Sequence, residues 1–265
     1  MRIFSGINAK LIIAAAFAAA VLAGGSALAV EKPITLSHRG ANLEADENTL
    51  TAYKLSIGYR MDFIECDPRI TKDGELIIMH DPEVSRTTNG KGKVADLTLA
   101  EIKVLRTKKH NDTVPKFDEV LSLAKDNNVR VFIDTKLYTD DYMAIVTKHV
   151  VDAGMADRVT IGCWTIEQLR WMKKNHPEMT TNIPYPAPVS SMKQAKKLGA
   201  SWIGAVIEQT NADLFAKAAA EGLKVVTMPL DTRELIVQKI NEGMQVIQTN
   251  NPKLLRQIID EMFGK

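Results

Sequence analysis

Short apolar segments alternate with longer amphipathic segments along most of this chain, and this alternation restricts the fold more than any other feature. Apolar runs such as Ile34 to Ser37 and Lys224 to Thr227 have the length of strands, and each precedes a segment whose apolar residues recur with helical spacing. About eight such strand–helix units follow Val30, and strict alternation predicts a parallel sheet covered by helices. Eight units predict closure of the sheet into an α/β fold, the (β/α)8 TIM barrel, whereas an open doubly wound sheet is the alternative.

The first 29 residues differ in composition from the rest and are predicted to be a secretory signal peptide. Arg2 and Lys10 give a positive start, residues 11–23 are apolar and rich in alanine, and residues 27–29 (Ala-Leu-Ala) form a small-residue cleavage site. An uncleaved anchor helix is the alternative, because the apolar stretch is near the lower length limit for crossing a bilayer. The cleavage site favours removal, so residues 30–265 are expected to form a single barrel domain that is exported, to the periplasm or beyond.

The charge of the expected mature chain argues against several classes of partner. Arg2 and Lys10 are the only charged residues before Val30, so loss of this segment reduces the 34 basic residues to 32, which equals the number of acidic residues. No basic surplus remains to bind nucleic acid, and no stable membrane association is expected after cleavage. The sequence identifies no protein partner.

The chain contains two cysteines, Cys66 and Cys163, which are too few for a disulfide framework. Cys66 lies between two residues that face the opposite way along a predicted strand, so it is predicted to be a small buried hydrophobe. A bridge between the two cysteines is the alternative in an exported protein.

Residues 61–82 contain the first group of side chains with catalytic chemistry. Phe63 to Asp67 is predicted to be the second strand, in which Glu65 and Asp67 point to the same face because side chains alternate along a strand. A second apolar run follows a Lys-Asp-Gly turn and ends at His80. Two carboxylates on a rigid strand suit Mg²⁺ or Ca²⁺, and a nearby histidine can transfer protons near neutral pH.

In a parallel α/β barrel, functional residues lie at the carboxyl ends of the strands. The first predicted strand ends at His38 and Arg39, and the third ends at Asp134 and Lys136. Together with the carboxylates and the histidine of residues 61–82, these side chains are expected to meet around one barrel mouth. This combination of residue types is more specific than any one motif.

In their order along the chain, these motifs resemble those of the glycerophosphodiester phosphodiesterases. The matching segments are HRG at 38–40, ENT at 47–49, ECD at 65–67, TKDG at 71–74, HD at 80–81, VP at 114–115, FDEVL at 117–121 and DTK at 134–136. They cover the amino-terminal half of the expected mature chain, and the later half matches mainly in its strand–helix alternation. The resemblance implies a TIM barrel that uses one divalent metal ion, Ca²⁺ or Mg²⁺, to hydrolyse a small-molecule diester of glycerol 3-phosphate and an alcohol.

The residue types fit this chemistry. Glu65, Asp67 and Asp134 are predicted to hold the metal ion through carboxylate oxygens. The family usually has Glu at the position of Asp134, whose side chain is shorter, so a water-bridged contact is the alternative for this residue. Arg39 is predicted to bind the phosphate through its fork of donors, and Lys136 to add a point charge.

His38 and His80 are predicted to lie on opposite sides of the phosphorus, one as base and the other as acid, because a histidine pKa near ~6.5 permits either role. In the family's proposed route a glycerol hydroxyl attacks first and gives a cyclic phosphate that water opens; direct attack by water is the alternative. Glu47 is predicted either to orient His38 or Arg39, or to stabilise the first turn of its helix. Trp164 is predicted either to line the wall of the substrate pocket or to pack in the core.

Three positions depart from the family pattern. Asp46 replaces the Pro before ENT, residues 225–229 lack a frequent Trp-Thr pair, and residues 249–250 are Thr-Asn in place of Thr-Asp. The last two departures lie where the alcohol or the glycerol would be recognised. The segment between His80 and Pro115, a small insertion after the second strand region, is long for a barrel loop and is expected to cap the mouth.

Three functions are compatible with these residues. The favoured one is metal-dependent hydrolysis of glycerophosphodiesters. A lipid-cleaving enzyme of the phospholipase D kind would need an exposed apolar rim. Only 6% of the residues are aromatic and no amphipathic surface helix is evident, so the sequence does not predict such a rim. A binding protein that kept the fold and lost the chemistry would be expected to lack His38 or His80, and both are present.

Overall fold

The computed structural model describes residues 30–264, and the predicted signal peptide at residues 1–29 lies outside the described residues. The strands of the described part are β1 Ile34–Ser37, β2 Phe63–Cys66, β3 Pro68–Ile70, β4 Leu76–Ile78, β5 Arg130–Asp134, β6 Val159–Gly162, β7 Thr180–Tyr185, β8 Trp202–Ala205, β9 Lys224–Thr227 and β10 Val246–Thr249. Its α-helices are α1 Leu50–Gly58, α2 Leu99–Lys103, α3 Phe117–Asp126, α4 Asp140–Asp152, α5 Ile166–Asn175, α6 Met192–Leu198, α7 Ala212–Ala220, α8 Arg233–Asn241 and α9 Pro252–Phe263.

Eight of these strands form one parallel sheet, in the order β10-β1-β2-β5-β6-β7-β8-β9. The last strand pairs with the first, with Ser37 opposite Thr249, and β9 lies beside β10. The sheet therefore curves into a nearly closed barrel, and the helices that connect its strands cover the outside. This arrangement confirms the predicted (β/α)8 TIM barrel and not the open doubly wound sheet.

Side-chain caps set where most of the helices begin. In α1, α2 and α4–α9, a Thr, Ser or Asn side chain accepts a hydrogen bond from the backbone N–H three residues later, which satisfies one free donor of the first turn. These caps are Thr49, Thr98, Thr139, Thr165, Ser191, Asn211, Thr232 and Asn251. Because Thr49 is the cap, α1 begins at Leu50, so Glu47 lies before the helix and not in its first turn, where one of its two predicted roles would place it. No helix within residues 30–264 is long and apolar enough to span a membrane.

An apolar layer from six strands fills the barrel interior. Its members are Leu36, Phe63, Phe132, Trp202, Val226 and Val246. The rings of Phe63 and Trp202 meet edge to face, with their centroids 5.2 Å apart. Side chains two positions apart on a strand share a face, and His38, Glu65 and Asp134 each lie two positions after a member of this layer. The polar side chains of the mouth therefore lie directly above this apolar layer.

The main core lies between the outer face of the sheet and the helices. It contains Cys66 on β2 and Cys163 just after β6, which are both buried and both free. Burial in this apolar layer raises the pKa of each thiol. Cys66 is therefore a small buried hydrophobe as predicted, and the alternative disulfide is not formed.

The chain leaves the barrel between β2 and α3, where the predicted insertion lies. The antiparallel β3–β4 hairpin comes first, and a loop that contains α2 follows. His80 comes shortly after β4, which belongs to this hairpin and not to the barrel sheet. The insertion has a small apolar core of its own, made by Ile77, Met79, Val84, Val94, Ile102 and Val114.

Candidate active site

Three carboxylates meet at the carboxyl ends of β2 and β5. One oxygen atom from each of Glu65, Asp67 and Asp134 lies within 4.8 Å of the other two, because β5 pairs directly with β2. Burial, and then the charges of Asp67 and Asp134, raise the pKa of Glu65 well above its ordinary value. The structure thus brings the three predicted metal ligands together in a cluster of like charges that a cation would stabilise.

Lys136 lies against this carboxylate cluster. Its Nζ is 2.6 Å from Asp67 Oδ1 and also contacts Asp134 Oδ2. Burial alone would raise the pKa of Asp67, but the ammonium group of Lys136 lowers it. The lysine predicted to bind phosphate is therefore also a counter-charge for two of the carboxylates.

Two buried polar atoms of the site have no hydrogen-bond partner within residues 30–264. Asp67 Oδ1 approaches Lys136 without the alignment of a hydrogen bond, and Arg39 Nε lies 3.6 Å from Asp67 Oδ2. Buried polar atoms are rarely unpaired in native proteins, so Arg39 Nε is suited to bind a ligand, whereas Asp67 Oδ1 already has Lys136 as an ionic partner. A carboxylate oxygen suits a hard cation, and a guanidinium N–H suits an anion. The all-oxygen donor set therefore fits the predicted Ca²⁺ or Mg²⁺ ion beside a phosphate.

The loop after β1 positions Arg39. Its backbone N–H donates to Glu65 Oε2 at 2.6 Å, and its Nη1 donates to Glu47 Oε1 at 3.0 Å. The loop takes a left-handed turn, with φ of 56° at Arg39 and 83° at Gly40. A Cβ atom at Gly40 would lie 2.7 Å from the Cβ of Ala52 on α1, so glycine is what lets the loop lie this close to the helix.

The amide of Asn250 holds His38 in one tautomer. Asn250 Nδ2 donates to Asp231 Oδ2 at 2.7 Å, which leaves its Oδ1 facing His38 Nδ1 at 2.8 Å. An amide oxygen only accepts, so His38 Nδ1 carries the proton and Nε2 keeps its electron pair. Burial is the main cause that lowers the pKa of His38. The ring is therefore a neutral base near neutral pH.

A carboxylate, in contrast, holds His80. Its Nδ1 lies 2.7 Å from Asp81 Oδ1, and the other oxygen of Asp81 contacts Arg86 Nε. The hydrogen bond from Arg86 is the main cause that lowers the pKa of Asp81 to about 2. Arg69 Nε donates to the backbone carbonyl of His80 at 2.9 Å and so fixes the turn after β4. His80 therefore donates through Nδ1 to a charged partner, and its Nε2 is left for a substrate.

A chain of ion pairs connects the loops that carry the two histidines. Arg86 donates to both oxygens of Glu47, at 2.9 and 2.7 Å, and Arg39 donates to the same carboxylate. Burial alone would raise the pKa of Glu47, but the hydrogen bonds from Arg86 and the charge of Arg39 lower it. Glu47 thus lies against Arg39, as one of its predicted roles requires, and Arg86 connects it to Asp81.

Trp164 lies at the barrel mouth and not in the core. Its side chain is 44% exposed, and its Nε1 donates to Asp134 Oδ1 at 2.9 Å. Of the two predicted positions for Trp164, the structure has the one at the pocket wall.

Three residues of the site have no role in the sequence-based prediction: Asn48, Arg86 and Asn250. Asn48 Nδ2 donates to Asp67 Oδ2 at 2.6 Å, and Tyr53 OH donates to Asn48 Oδ1 at 2.7 Å. The ENT motif was a signal for Asn48, and the change from Thr-Asp to Thr-Asn was a signal for Asn250. No motif indicated Arg86, because one of its two partners, Glu47, comes from another loop.

The Glycerophosphoryl diester phosphodiesterase family matches this chain over residues 38–254. This span begins at His38 and includes every site residue described above. The chain belongs to this family. As a member of the glycerophosphoryl diester phosphodiesterases it is a phosphoric diester hydrolase, and the resemblance found in its motifs is confirmed.

Two relatives show how far the similarity in sequence extends. A glycerophosphodiester phosphodiesterase of Caldanaerobacter subterraneus subsp. tengcongensis is 29% identical over 238 residues, which cover 86% of this chain and 98% of that protein. A glycerophosphodiester phosphodiesterase of Bacillus subtilis is 47% identical over 81 residues, which cover 31% of this chain and 28% of that protein. The first similarity extends over the whole barrel, and the second is stronger but local.

Solved structures show the same barrel in other members of the glycerophosphoryl diester phosphodiesterase family. The glycerophosphodiester phosphodiesterase from Agrobacterium tumefaciens is 26% identical, with a TM-score of 0.76 that covers 85% of this chain and 99% of that one. A phosphodiesterase from Oleispira antarctica, solved in complex with the product sn-glycerol-3-phosphate, is 21% identical and has a TM-score of 0.76, covering 86% and 97%. The similarity to the Oleispira antarctica structure shows that this chain has the same fold.

Proposed function

We propose that this protein hydrolyses glycerophosphodiesters to glycerol 3-phosphate and an alcohol, with one divalent cation and two histidines. The observation that supports this best is the meeting of two binding features of opposite charge at one mouth. These are the Glu65–Asp67–Asp134 cluster and Arg39 Nε, which has no hydrogen-bond partner in the described part of the chain. A phosphodiester is an anion that resists attack, so its hydrolysis needs both a cation and anion-binding donors.

The three carboxylates would hold the cation, Ca²⁺ or Mg²⁺. When bound there, the cation supplies positive charge that neutralises a phosphate oxygen. Arg39 binds another phosphate oxygen through Nε, because Glu47 holds its Nη1 and thereby orients the guanidinium plane. Lys136 adds a second positive charge beside the same carboxylates.

His38 acts as the base in this scheme. Its Nε2 carries the free electron pair and accepts the proton of the attacking hydroxyl. In the favoured route this hydroxyl belongs to the glycerol, and the cyclic phosphate that forms is opened by water; direct attack by water is the alternative. Asn250 supports the role because it keeps the proton of the neutral ring on Nδ1.

His80 acts as the acid and gives a proton from Nε2 to the leaving alcohol oxygen. The carboxylate of Asp81 stabilises the positively charged ring, as the aspartate of a catalytic triad does. The two histidines thus have different partners, a neutral amide and a carboxylate, and these partners suit the two roles.

A coupled assay for released glycerol 3-phosphate tests this function. The purified protein is treated with EDTA, dialysed, and assayed on several glycerophosphodiesters with and without added Ca²⁺ or Mg²⁺. We expect turnover to be lost after chelation and to return with one of the two ions. Turnover that survives thorough chelation contradicts the cation role, and no turnover of any diester with either ion contradicts the function.

One observation favours a second function, the cleavage of diesters that still carry a hydrocarbon chain. Exposed apolar side chains follow the carboxyl ends of five barrel strands and so lie around the mouth. They are Leu43, Leu137, Tyr138, Trp164, Val206 and Met228. An apolar rim of this kind was not expected from the low aromatic content of the sequence. Lysophospholipids, compared with their deacylated diesters in the same assay, test this function: faster turnover of the lysophospholipids supports it, and no turnover of them contradicts it.

We also propose that the protein is exported and that residues 1–29 are removed as a signal peptide. The supporting pattern is the basic start, the apolar stretch and the small residues at 27–29. Amino-terminal sequencing of protein from a periplasmic fraction should begin at Val30. A chain that keeps Met1 and stays with the membranes contradicts this proposal.

A further inference from the structure

A groove of about 500 Å³ opens beside His38, between the loop after β1 and the insertion. His38 and Asn250 line one side of it. The other side includes Arg86, Lys108 and Lys109, which all come from the insertion. The insertion thus borders the space next to a proposed catalytic histidine.

Four basic and two acidic side chains line this groove, and both acidic groups are already bound by protein partners. Glu47 forms salt bridges with two of the basic residues, Arg39 and Arg86. Asp46 accepts hydrogen bonds from the hydroxyl of Thr107 at 2.7 Å and from a backbone N–H of the insertion at 2.8 Å. Neither carboxylate forms a salt bridge with the other two basic residues, and four positive against two negative side chains leave the lining with a net positive charge.

Those two basic residues, Lys108 and Lys109, are both exposed. Lys108 Nζ donates to the backbone carbonyl of Ser85 at 2.5 Å, which holds its ammonium group at the groove wall. Within residues 30–264, no carboxylate forms a salt bridge with either lysine. Their positive charge therefore acts on whatever occupies the groove.

We propose that this groove binds the alcohol part of the substrate and selects alcohols that carry a negative charge, such as a second phosphate. The inference rests on the proposed function. The glycerol part of a glycerophosphodiester has no charged group of its own, so an additional charge can lie only on the alcohol. Arg86 lines the groove and also binds Asp81, the partner of His80, so a group bound there is near the histidine that protonates the leaving alcohol. A cationic alcohol such as ethanolamine or choline would be repelled by the two lysines.

Two substrates that differ in one phosphate group test this selectivity: glycerophosphoinositol and glycerophosphoinositol 4-phosphate. We expect the protein to show a kcat/KM about tenfold higher for the phosphorylated substrate, because two exposed charge pairs each contribute modestly. In Lys108→Gln/Lys109→Gln this preference should fall to about twofold. Rising salt concentration should weaken the preference of the unmodified protein, because exposed charges are screened.

Lys173→Gln/Lys174→Gln is the matched control. These are also two consecutive exposed lysines, in the last turn of α5, and Lys173 Nζ likewise donates to one backbone carbonyl, at 2.7 Å. This variant should keep the preference for the phosphorylated substrate. Lys108→Glu/Lys109→Glu should instead reverse the preference, toward glycerophosphoethanolamine.

A binding measurement separates failure of this inference from failure of the proposed function. Inositol 4-phosphate, the alcohol alone, should bind the unmodified protein and K173Q/K174Q more tightly than K108Q/K109Q in calorimetry, whether or not any diester is hydrolysed. Equal binding to all three proteins, or equal kcat/KM for the two substrates, overturns the inference. Weaker binding to K108Q/K109Q together with no turnover of any diester supports the groove and overturns the proposed reaction.

Discussion

The two sides of the barrel mouth differ in their chemistry. On the side formed by β1, β2 and the insertion, a network of ion pairs runs from His80 by way of Asp81 and Arg86 to Glu47. On the side formed by β6–β9, the loops are short and expose apolar side chains, among them Met228, which is 65% exposed. The carboxylate cluster lies on β2 and β5, where the two sides meet. The charged side is thus suited to proton transfer and the apolar side to uncharged parts of a substrate.

The lengths of the loops explain this difference. On the apolar side the chain passes almost directly from a strand to a capped helix: β6 ends at Gly162, and Thr165 already caps α5. Such loops offer few side chains that reach the centre of the mouth. The insertion, in contrast, has an apolar core of its own, and it supplies Arg86 as a partner for two carboxylates. The charged network therefore lies where the chain between barrel strands is longest.

The largest effect is expected on the charged side, from removal of either histidine. His38→Ala and His80→Ala should each lower kcat about 10³-fold, within the range that proton transfer by a side chain contributes. Folding and cation binding should be unchanged, because neither histidine belongs to the carboxylate cluster. Steady-state kinetics, circular dichroism and calorimetric cation titration measure the three quantities. A kcat near that of the unmodified protein would contradict the two-histidine scheme.

Glu65→Gln, at the place where the two sides meet, is expected to raise the stability of the cation-free protein and to abolish its turnover. The amide removes one of three clustered like charges, two of them buried, and can still accept the backbone hydrogen bond of Arg39. In EDTA the variant should therefore unfold at a Tm about 2–4 °C higher than the unmodified protein, yet cation-dependent turnover should be lost. Scanning calorimetry and the coupled assay measure both. A lower Tm in EDTA would show that the three carboxylates do not repel one another.

A smaller loss is expected from Arg86, which holds Glu47 and Asp81 without belonging to the carboxylate cluster. Arg86→Gln should lower kcat about tenfold to hundredfold with little change in KM, because misplacing a catalytic group slows the chemical step. Arg86→Lys should recover only part of this loss, since an ammonium group cannot form the paired hydrogen bonds to Glu47. If both variants lose stability but keep kcat, Arg86 only holds the insertion in place.

The role of His38 can be tested through pH with Asn250→Asp. A carboxylate beside Nδ1 favours the charged ring, so the pKa of His38 should rise by about one unit. Because His38 must be neutral to accept a proton, the acidic limb of kcat/KM should move to higher pH by the same amount. Asp231 would repel the new carboxylate, so Asp231→Asn/Asn250→Asp is the matched variant with the same expected shift. An acidic limb that stays in place in both variants would exclude His38 as the base.

The smallest effects are expected on the apolar side. Val206→Ser and Met228→Ser change side chains that are 48% and 65% exposed, so kcat/KM for glycerophosphodiesters should change by less than about twofold. Under the second function the same variants should lower the turnover of lysophospholipids. A loss on glycerophosphodiesters as large as that from the charged side would remove the distinction between the two halves of the mouth.

Local periodicity was enough to predict the barrel and part of the site. The period of two along a strand places Glu65 and Asp67 on one face, and the rule that function lies at strand ends brings in Asp134. Helix starts were predicted less well, because a cap is a single hydrogen bond that the apolar pattern does not show. Glu47, for example, has a predicted role in the first turn of α1 but lies before the cap at Thr49.

The sequence by itself determined the order of strands and helices, the carboxylates and the two histidines, because these follow from the spacing of residues close together in the chain. Only the tertiary structure decided that Asn250 is the partner of His38 and which side chains the mouth exposes. Asn250 is 212 residues from His38 and reaches it because the last strand of the barrel pairs with the first. Arg86 meets Glu47 across 39 residues because the insertion folds back over the mouth. Closure of the sheet creates the first contact and the fold of the insertion creates the second, and no local pattern of residues encodes either.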